Sequence, residues 1–516
     1  MKKLRLGLAT LFLILVIAGA WGWFALPGRV PPGPTPGHAG ETLKFPERFL
    51  WGAATAGQQI ESQQPSDWTA FEQDVYAHQR FAAGPALGTT VPGNIRDLGN
   101  WSETVRSQKT GFDTLYPQDM AMAAGLGLNA FRLSFDWARL FPRAGMTAPD
   151  PAGIAFYKGV LAEMKRNHIT PVVTLFHVAT PEWWWQPDAV GKKSWERADA
   201  MEDWQAYVSA VADAFIPDVE YWCTLNEPMV SVYSGYLEGS YPPLEKRAGV
   251  AAVSGVIEGM LRAHAIAYQT LHKVAAERQA PVTVGLTQAV MHVVPLRNWA
   301  PLDRLTARYI DQAWNWDFLD AVQTGRMKLT DTDIDTEIPG LKGSEDYVGL
   351  NYYMRMYVQS DIANPSAPKV MNRDPDAPGE AVNDLGWVID PHGFYEILTQ
   401  ANDRYRKPIY VLENGTADHA ADDVTRQKYL VAHLRELWLA IDHGADIRSF
   451  MEWSLIDNFE WVEGFDARFG LVAVDYENGF KRTPRPSAQL YAEIIHAGGL
   501  PDALVQRYGA MAYPGR

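Results

Sequence analysis

From residue 41 onward one pattern recurs eight times: a short apolar, β-branched or aromatic run, then a longer stretch with helical spacing. The runs are Phe49–Ala54, Ala130–Phe135, Thr170–Phe176, Val219–Leu225, Val282–Leu286, Tyr347–Leu350, Ile409–Leu412 and Arg448–Met451. Spacers such as Ala200–Phe215 and Val256–Ala276 carry helical patterns between them. Strands alternating with helices require a parallel sheet covered by helices, and eight such units predict an α/β fold, a single (β/α)8 TIM barrel. A chain of 516 residues could hold two or three ordinary domains, but one α/β barrel can be this large. No composition break, low-complexity tract or clear sequence repeat divides residues 41–516, which are expected to form one domain.

The first forty residues read differently. Lys2, Lys3 and Arg5 precede a nearly uncharged run from Leu6 to Leu26, 21 residues long. That length crosses a bilayer as a helix, and the basic side is expected to stay cytoplasmic. Residues 27–40, PGRVPPGPTPGHAG, form a Pro/Gly-rich linker. The N-terminal transmembrane/signal segment, residues 1–26, is either an uncleaved anchor or a signal peptide cut after Ala18-Gly19-Ala20. The apolar run continues through Trp21, Trp23, Phe24 and Leu26, which favours the anchor. Both readings export the domain to a periplasmic or extracytoplasmic side, with membrane contact through this segment alone.

Charge and cysteine content remove other classes. A net charge of −15 argues against nucleic acid as a partner. Cys223 is the only cysteine, so neither an intrachain disulfide nor a Cys-rich metal site is available. The 12 histidines are scattered without ligand spacing, so no metal and no cofactor are expected.

Polar residues collect where the strands end. Arg132 lies within the second run, His177 follows the third, Asn226-Glu227 the fourth, Asn351 the sixth and Glu413 the seventh. In a (β/α)8 barrel those ends build the active site. A lone glutamate at a strand end is usually a surface ion pair; two at equivalent ends, TLNEP and VLENG, suit a different chemistry. Glycosidic cleavage uses two carboxyl groups flanking one bond: roughly 5–5.5 Å apart they retain configuration, and a wider gap inverts it.

The sequence resembles the family 1 glycoside hydrolases, the β-glucosidase family. The matching segments run from about Phe45 to Ile495: FLWGAATA with Gln59-Ile60-Glu61, FRLSFDWARLFP, TLFH, TLNEP, GLNYY, VLENG, WSLIDNFEW and RFGLVAVDY. The resemblance implies Glu227 as acid/base and Glu413 as nucleophile, with net retention. It implies Arg132 and Tyr353 beside the nucleophile, Asn226 on the sugar 2-hydroxyl and Asn351 in support. Gln59, His177, Glu460 and Trp461 match glycone-binding residues, and Trp453 matches a sugar-stacking platform. The expected substrate is a small carbohydrate, an unphosphorylated β-glucoside first, because the acidic run Asp457 to Glu460 would repel a phosphate.

Departures from the family pattern are expected in the pocket walls. Val178, Ala179 and Thr180 follow His177 where an aromatic residue is usual. Gln58 stands where a tyrosine is usual, Ser62 where glycine is common, and Glu452 precedes Trp453 at a variable position. The segment Gly84 to Val105 matches no part of the pattern. Two rival readings share this barrel. A sugar-binding pseudo-enzyme would typically have lost one of the two glutamates. A transglycosylase would use the same residues.

Overall fold

The computed structural model describes residues 40–81, 91–361, 363, 368–377 and 379–508. The apolar segment 1–26 and residues 27–39 of the linker lie outside the described residues, as do residues 84–90 of the unmatched segment.

Eight parallel strands close on themselves: β1 (Leu50–Ala54), β2 (Ala130–Ser134), β3 (Thr170–Phe176), β4 (Tyr221–Asn226), β5 (Thr283–Pro295), β6 (Tyr347–Gln359), β7 (Ile409–Asn414) and β8 (Ile447–Trp453). Each pairs with the next, and β8 returns to β1 through Ser449↔Leu50 to Trp453↔Ala54. The (β/α)8 barrel expected from the alternation is therefore present. Closure leaves each of the eight strands with a neighbour on both sides within the barrel.

The helices form because their sequences carry an apolar stripe and a start signal. In helix Ala200–Phe215, Trp204, Tyr207, Val208, Val211, Ala212 and Phe215 are buried, the spacing of one helical face. Trp204 donates its indole N–H to Ala263 O at 2.8 Å, tying this helix to Ser254–Arg278. Helix Pro151–Arg166 starts with proline at its first position, and the Asp150 carboxylate accepts from Ala152 N at 2.8 Å.

The strand limits differ from the sequence reading in two informative places. β5 and β6 run to Pro295 and Gln359 instead of stopping near Leu286 and Leu350. They stay paired from Gly285↔Tyr347 to Pro295↔Val358, past the barrel rim, and an antiparallel strand Lys369–Met371 joins the edge of β6. The sequence reading ended these strands at Leu286 and Leu350, yet the polar Gln288 and Asn351 beyond them belong to the sheet. Both are buried mid-strand, where Asn351 Oδ1 accepts from Thr287 Oγ1 at 2.8 Å and Gln288 Nε2 donates to Trp314 O at 2.7 Å.

Candidate active site

β4 delivers Glu227 through an unusual turn. Its backbone is left-handed (φ 49°, ψ 57°), it caps a helix that begins with Pro228, and its N–H donates to Thr287 O at 2.8 Å. A non-glycine residue held in that region marks a position fixed by its surroundings. β7 delivers Glu413, and the sheet register sets it beside Asn351 of β6. Gly415 follows because a Cβ there would stand 1.9 Å from Trp453 O.

The two carboxyl groups have different partners. Glu413 Oε1 accepts from Arg132 Nη1 at 2.5 Å, and its Oε2 accepts from the Tyr353 hydroxyl at 2.6 Å. Among the described residues, Glu227 Oε1 accepts only from the Asn351 amide, at 2.8 Å. That amide also acts on Glu413, so one side chain stands between the pair. Burial, then the negative charge of Glu413, pushes Glu227 up to about 8. Burial raises Glu413 as well, but Arg132 and Tyr353 oppose it there. The proton of the pair therefore resides on Glu227 and the negative charge on Glu413.

Arg132 is fully buried and held from three sides. Its Nε donates to Thr174 Oγ1 at 3.0 Å, Nη2 to Asn226 Oδ1 at 2.7 Å, and Nη1 also to Leu412 O at 3.2 Å. With its carbonyl oxygen taken by Arg132 and by Asn351, Asn226 keeps its amide N–H groups for a ligand. Ser134 Oγ lies 2.7 Å from His177 Nδ1, which turns Nε2 toward Glu413 at 3.9 Å. Burial, then the charge of Arg132, holds His177 well below its usual pKa, so the ring is neutral.

The other wall comes from the loop after β8. Gln59 donates to Asn458 Oδ1, Phe459 O and Glu460 Oε2 at 2.9, 2.9 and 3.2 Å. The Trp453 indole donates to Glu460 Oε2 at 3.4 Å. The rings of Trp453 and Trp461 stand 6.0 and 6.3 Å from that of His177. Burial pushes Glu460 up to about 8. All eleven residues singled out from the sequence thus meet at one end of the barrel.

Two expectations about the walls need correction. Gln58 does not face the site: it accepts from Ser66 Oγ at 2.7 Å and donates to Glu72 Oε1 at 3.1 Å, inside a polar cluster behind the loop. Nor does the acidic run act as a unit. Arg485 grips Asp457 with bonds of 2.9 and 2.8 Å, and Arg468 lies 3.4 Å away, so this carboxylate is buried and neutralised. Glu460 alone of the two acids stands in the site.

Sequence reasoning missed the residues that hold the site residues: Ser134, Thr174 and Asn458, and Thr287, whose hydroxyl donates to Asn351 Oδ1 at 2.8 Å. Three of these lie on barrel strands near residues already singled out, and that placement was the available signal. The unmatched segment also finds a place, since Arg96 N donates to Val462 O and the Asp97 carboxylate accepts from Phe465 N, both at 2.9 Å. It braces the loop carrying Glu460 and Trp461.

Residues 41–500 match the family model for glycosyl hydrolase family 1. β-Glucosidase A of Thermotoga maritima is 30% identical over 484 residues, 89% of this chain and 99% of that protein. A β-galactosidase of Sulfolobus acidocaldarius is 28% identical over 513 residues, 90% of this chain and 97% of that one. The solved structure of a β-glycosidase from Pyrococcus horikoshii superposes with a TM-score of 0.77 at 32% identity, covering 92% of this chain and 100% of its own. Sequence motifs, barrel and paired carboxyl groups agree with these matches: the chain belongs to glycosyl hydrolase family 1.

Proposed function

We propose that this glycoside hydrolase is a retaining β-glycosidase that acts on unphosphorylated β-glycosides, β-glucosides first, by double displacement. The observation that carries the reading is the asymmetry of the two glutamates. Glu413 has a guanidinium and a phenol on its oxygens, while Glu227 has one neutral amide. An anion and an acid standing side by side are what the first step needs.

In that step a Glu413 oxygen attacks the anomeric carbon as the bond to the leaving oxygen breaks. Glu227 gives its proton to that oxygen. The Glu413 charge is spent in the new ester bond, so Glu227 becomes a stronger acid and remains as carboxylate. Glu227 then takes a proton from water, the water oxygen bonds to the anomeric carbon, and Glu413 leaves as carboxylate. The free Asn226 amide is placed to donate to the 2-hydroxyl. His177, Gln59, Glu460 and Trp461 serve the remaining hydroxyls, and Trp453 offers an apolar face to the ring. The Glu460 carboxyl disfavours a phosphate on the sugar. Relatives named β-glucosidase and β-galactosidase support a glycone range that includes both sugars.

Chromogenic β-glucoside, β-galactoside, β-fucoside, β-mannoside and 6-phospho-β-glucoside test the reading. Glu413→Ala and Glu227→Ala variants supplied with azide separate the roles. An α-glycosyl azide from the first and a β-glycosyl azide from the second are expected. Turnover of the phosphorylated sugar alone would overturn the substrate class, and reversed azide products would overturn the roles.

We also infer that residues 1–26 export the domain and tether it outside the cytoplasmic membrane, a reading supported by the basic flank and the 21-residue apolar run. Fractionation is expected to find the chain with membranes, facing outward. Intact chain in the cytosol would refute it, and a released chain starting at Trp21 would identify a cleaved signal instead.

A further inference from the structure

Behind the active site, on the helix-facing side of β7 and β8, polar atoms without partners concentrate. Glu452 is fully buried, and neither of its carboxyl oxygens has a hydrogen-bond partner among the described residues. Asn414 Oδ1, Thr416 Oγ1, Ser487 Oγ and Arg426 Nε share that condition, and all four residues are buried. The register pairs Asn414 with Glu452 across neighbouring strands. Asn414 Nδ2 donates to the Tyr429 hydroxyl of helix Val424–Asp442 at 3.0 Å, so this side chain points into the helix layer. Arg426, on the same helix, is near enough for its charge to act on Glu452. Its two terminal nitrogens are already committed, to Asp423 Oδ2 at 3.0 Å and to the carbonyls of Asp418 and Arg468 at 2.8 and 2.6 Å. Ser487 joins from helix Pro486–His496, its N–H donating to Asp423 Oδ1 at 3.1 Å.

Two carboxyl oxygens, an amide oxygen, two hydroxyls and a guanidinium N–H cannot be buried dry and unpaired without a large penalty. Ordered water, which makes about three hydrogen bonds per molecule in such sites, is the occupant whose chemistry fits both acceptors and a guanidinium N–H. The cluster touches the active site by chain continuity. Glu452 immediately precedes Trp453, and Asn414 immediately follows Glu413. We propose that Glu452 is a positioning residue: with Asn414, Ser487 and Arg426 it binds ordered water behind β7 and β8, and this hydrated brace fixes the strand ends that aim Glu413 and Trp453. Burial pushes the Glu452 carboxyl well above the usual carboxylate range. The inference rests on the reading of Glu413 as nucleophile.

The test is steady-state kinetics of the full chain with Glu452→Leu and Glu452→Gln on the β-glycoside that the wild type turns over. Leucine keeps the bulk and removes the hydrogen bonds; glutamine keeps a donor and an acceptor. A roughly tenfold loss of kcat with KM within about twofold is expected for leucine, the mark of misaimed groups and not of lost ground-state binding. Glutamine is expected to restore kcat to within about threefold of wild type. If the leucine variant does not fold, Ser487→Ala removes one arm of the brace and is expected to lower kcat in the same direction. Wild-type kcat in Glu452→Leu, or in Ser487→Ala where leucine fails to fold, overturns the proposal, as does a glutamine variant as impaired as leucine. An inactive wild type overturns the β-glycosidase reading itself and this proposal with it.

Discussion

A carboxyl group in this pocket is tuned by what reaches its oxygens. Arg132 reaches Glu413 and not Glu227, because β2 aims its guanidinium across the barrel at β7 and Asn226 and Thr174 fix its other nitrogens. The pH dependence follows. Hydrolysis requires Glu227 protonated in the free enzyme, and the group is pushed up to about 8 by burial and by Glu413. The kcat/KM profile is therefore expected to fall on its alkaline side near pH 8. Glu413→Gln removes the neighbouring charge, so the Glu227 pKa is expected to drop, as it must in the glycosyl-enzyme. Carbon-13 NMR of labelled glutamate in the variant reads that drop directly; an unmoved Glu227 would mean that burial alone sets its value. At this scale the sequence was informative about residues whose motif and strand-end position coincide, such as Glu227 and Glu413. It was silent on direction. Gln58 and Gln59 are neighbours on one short helix, yet only the second turns to the site, and no local pattern distinguishes them.

Gln58 belongs to a cluster that joins three elements. Lys109 and Glu72 form a fully buried ion pair, and the Lys109 ammonium sits 3.7 Å from the centre of the Phe459 ring. Glu72 lies on helix Asp67–Ala77, and Phe459 lies in the loop that presents Glu460. The ion pair thus supports the glycone wall from behind. Removing one partner of such a pair strands the other charge. Lys109→Met is expected to destabilise the fold by about 3–5 kcal/mol, with KM raised through the loosened Phe459–Glu460 loop. Lys109→Met with Glu72→Gln is expected to recover a large part of that stability. Denaturant unfolding of the three variants decides it, and equal losses in single and double variants would count against the coupling. Element order and most strand limits were readable because each strand is a short apolar run bounded by polar or turn residues. β5 and β6 escaped that rule. Asn351 finds a partner on the neighbouring strand and Gln288 one in the helical segment Gln312–Trp316, and hydrogen bonding to a distant element leaves no trace in local pattern.

Barrel closure is a property of the whole chain that no segment encodes: the β8–β1 pairing joins residues about 400 positions apart. Its consequence is a thick apolar interior that also encloses ionisable groups, and these set how stability varies with pH. Burial pushes Glu61 up to about 8 and Glu345 up to about 7. In His392, burial is outweighed by Glu396 and Glu436, and the ring is raised to about 9. All three hold a proton in the folded state at a pH where the unfolded chain has released it. Their contribution is whole below the unfolded pKa, near 4.5 for the carboxyls and 6.5 for the histidine, and is lost as pH rises through the folded value. His264 and His433 act oppositely, since burial lowers both to about 4. Their contribution is present above 6.5 and lost as pH falls through about 4. Between pH 6.5 and 8 the histidines of the second kind no longer change, and only the losses of the first kind operate. Each extra proton bound by the folded state costs about 1.4 kcal/mol per pH unit over such a window. The melting temperature is therefore expected to decline from pH 6.5 to 8, and Glu345→Gln to flatten that decline, because it removes a carboxyl that releases its proton in this window. Scanning calorimetry across this range measures both slopes. A melting temperature that rises toward pH 8 would show that the two carboxyls are ionised in the fold and that Arg139, 2.7 Å from Glu61, and Lys407, 3.7 Å from Glu345, outweigh their burial.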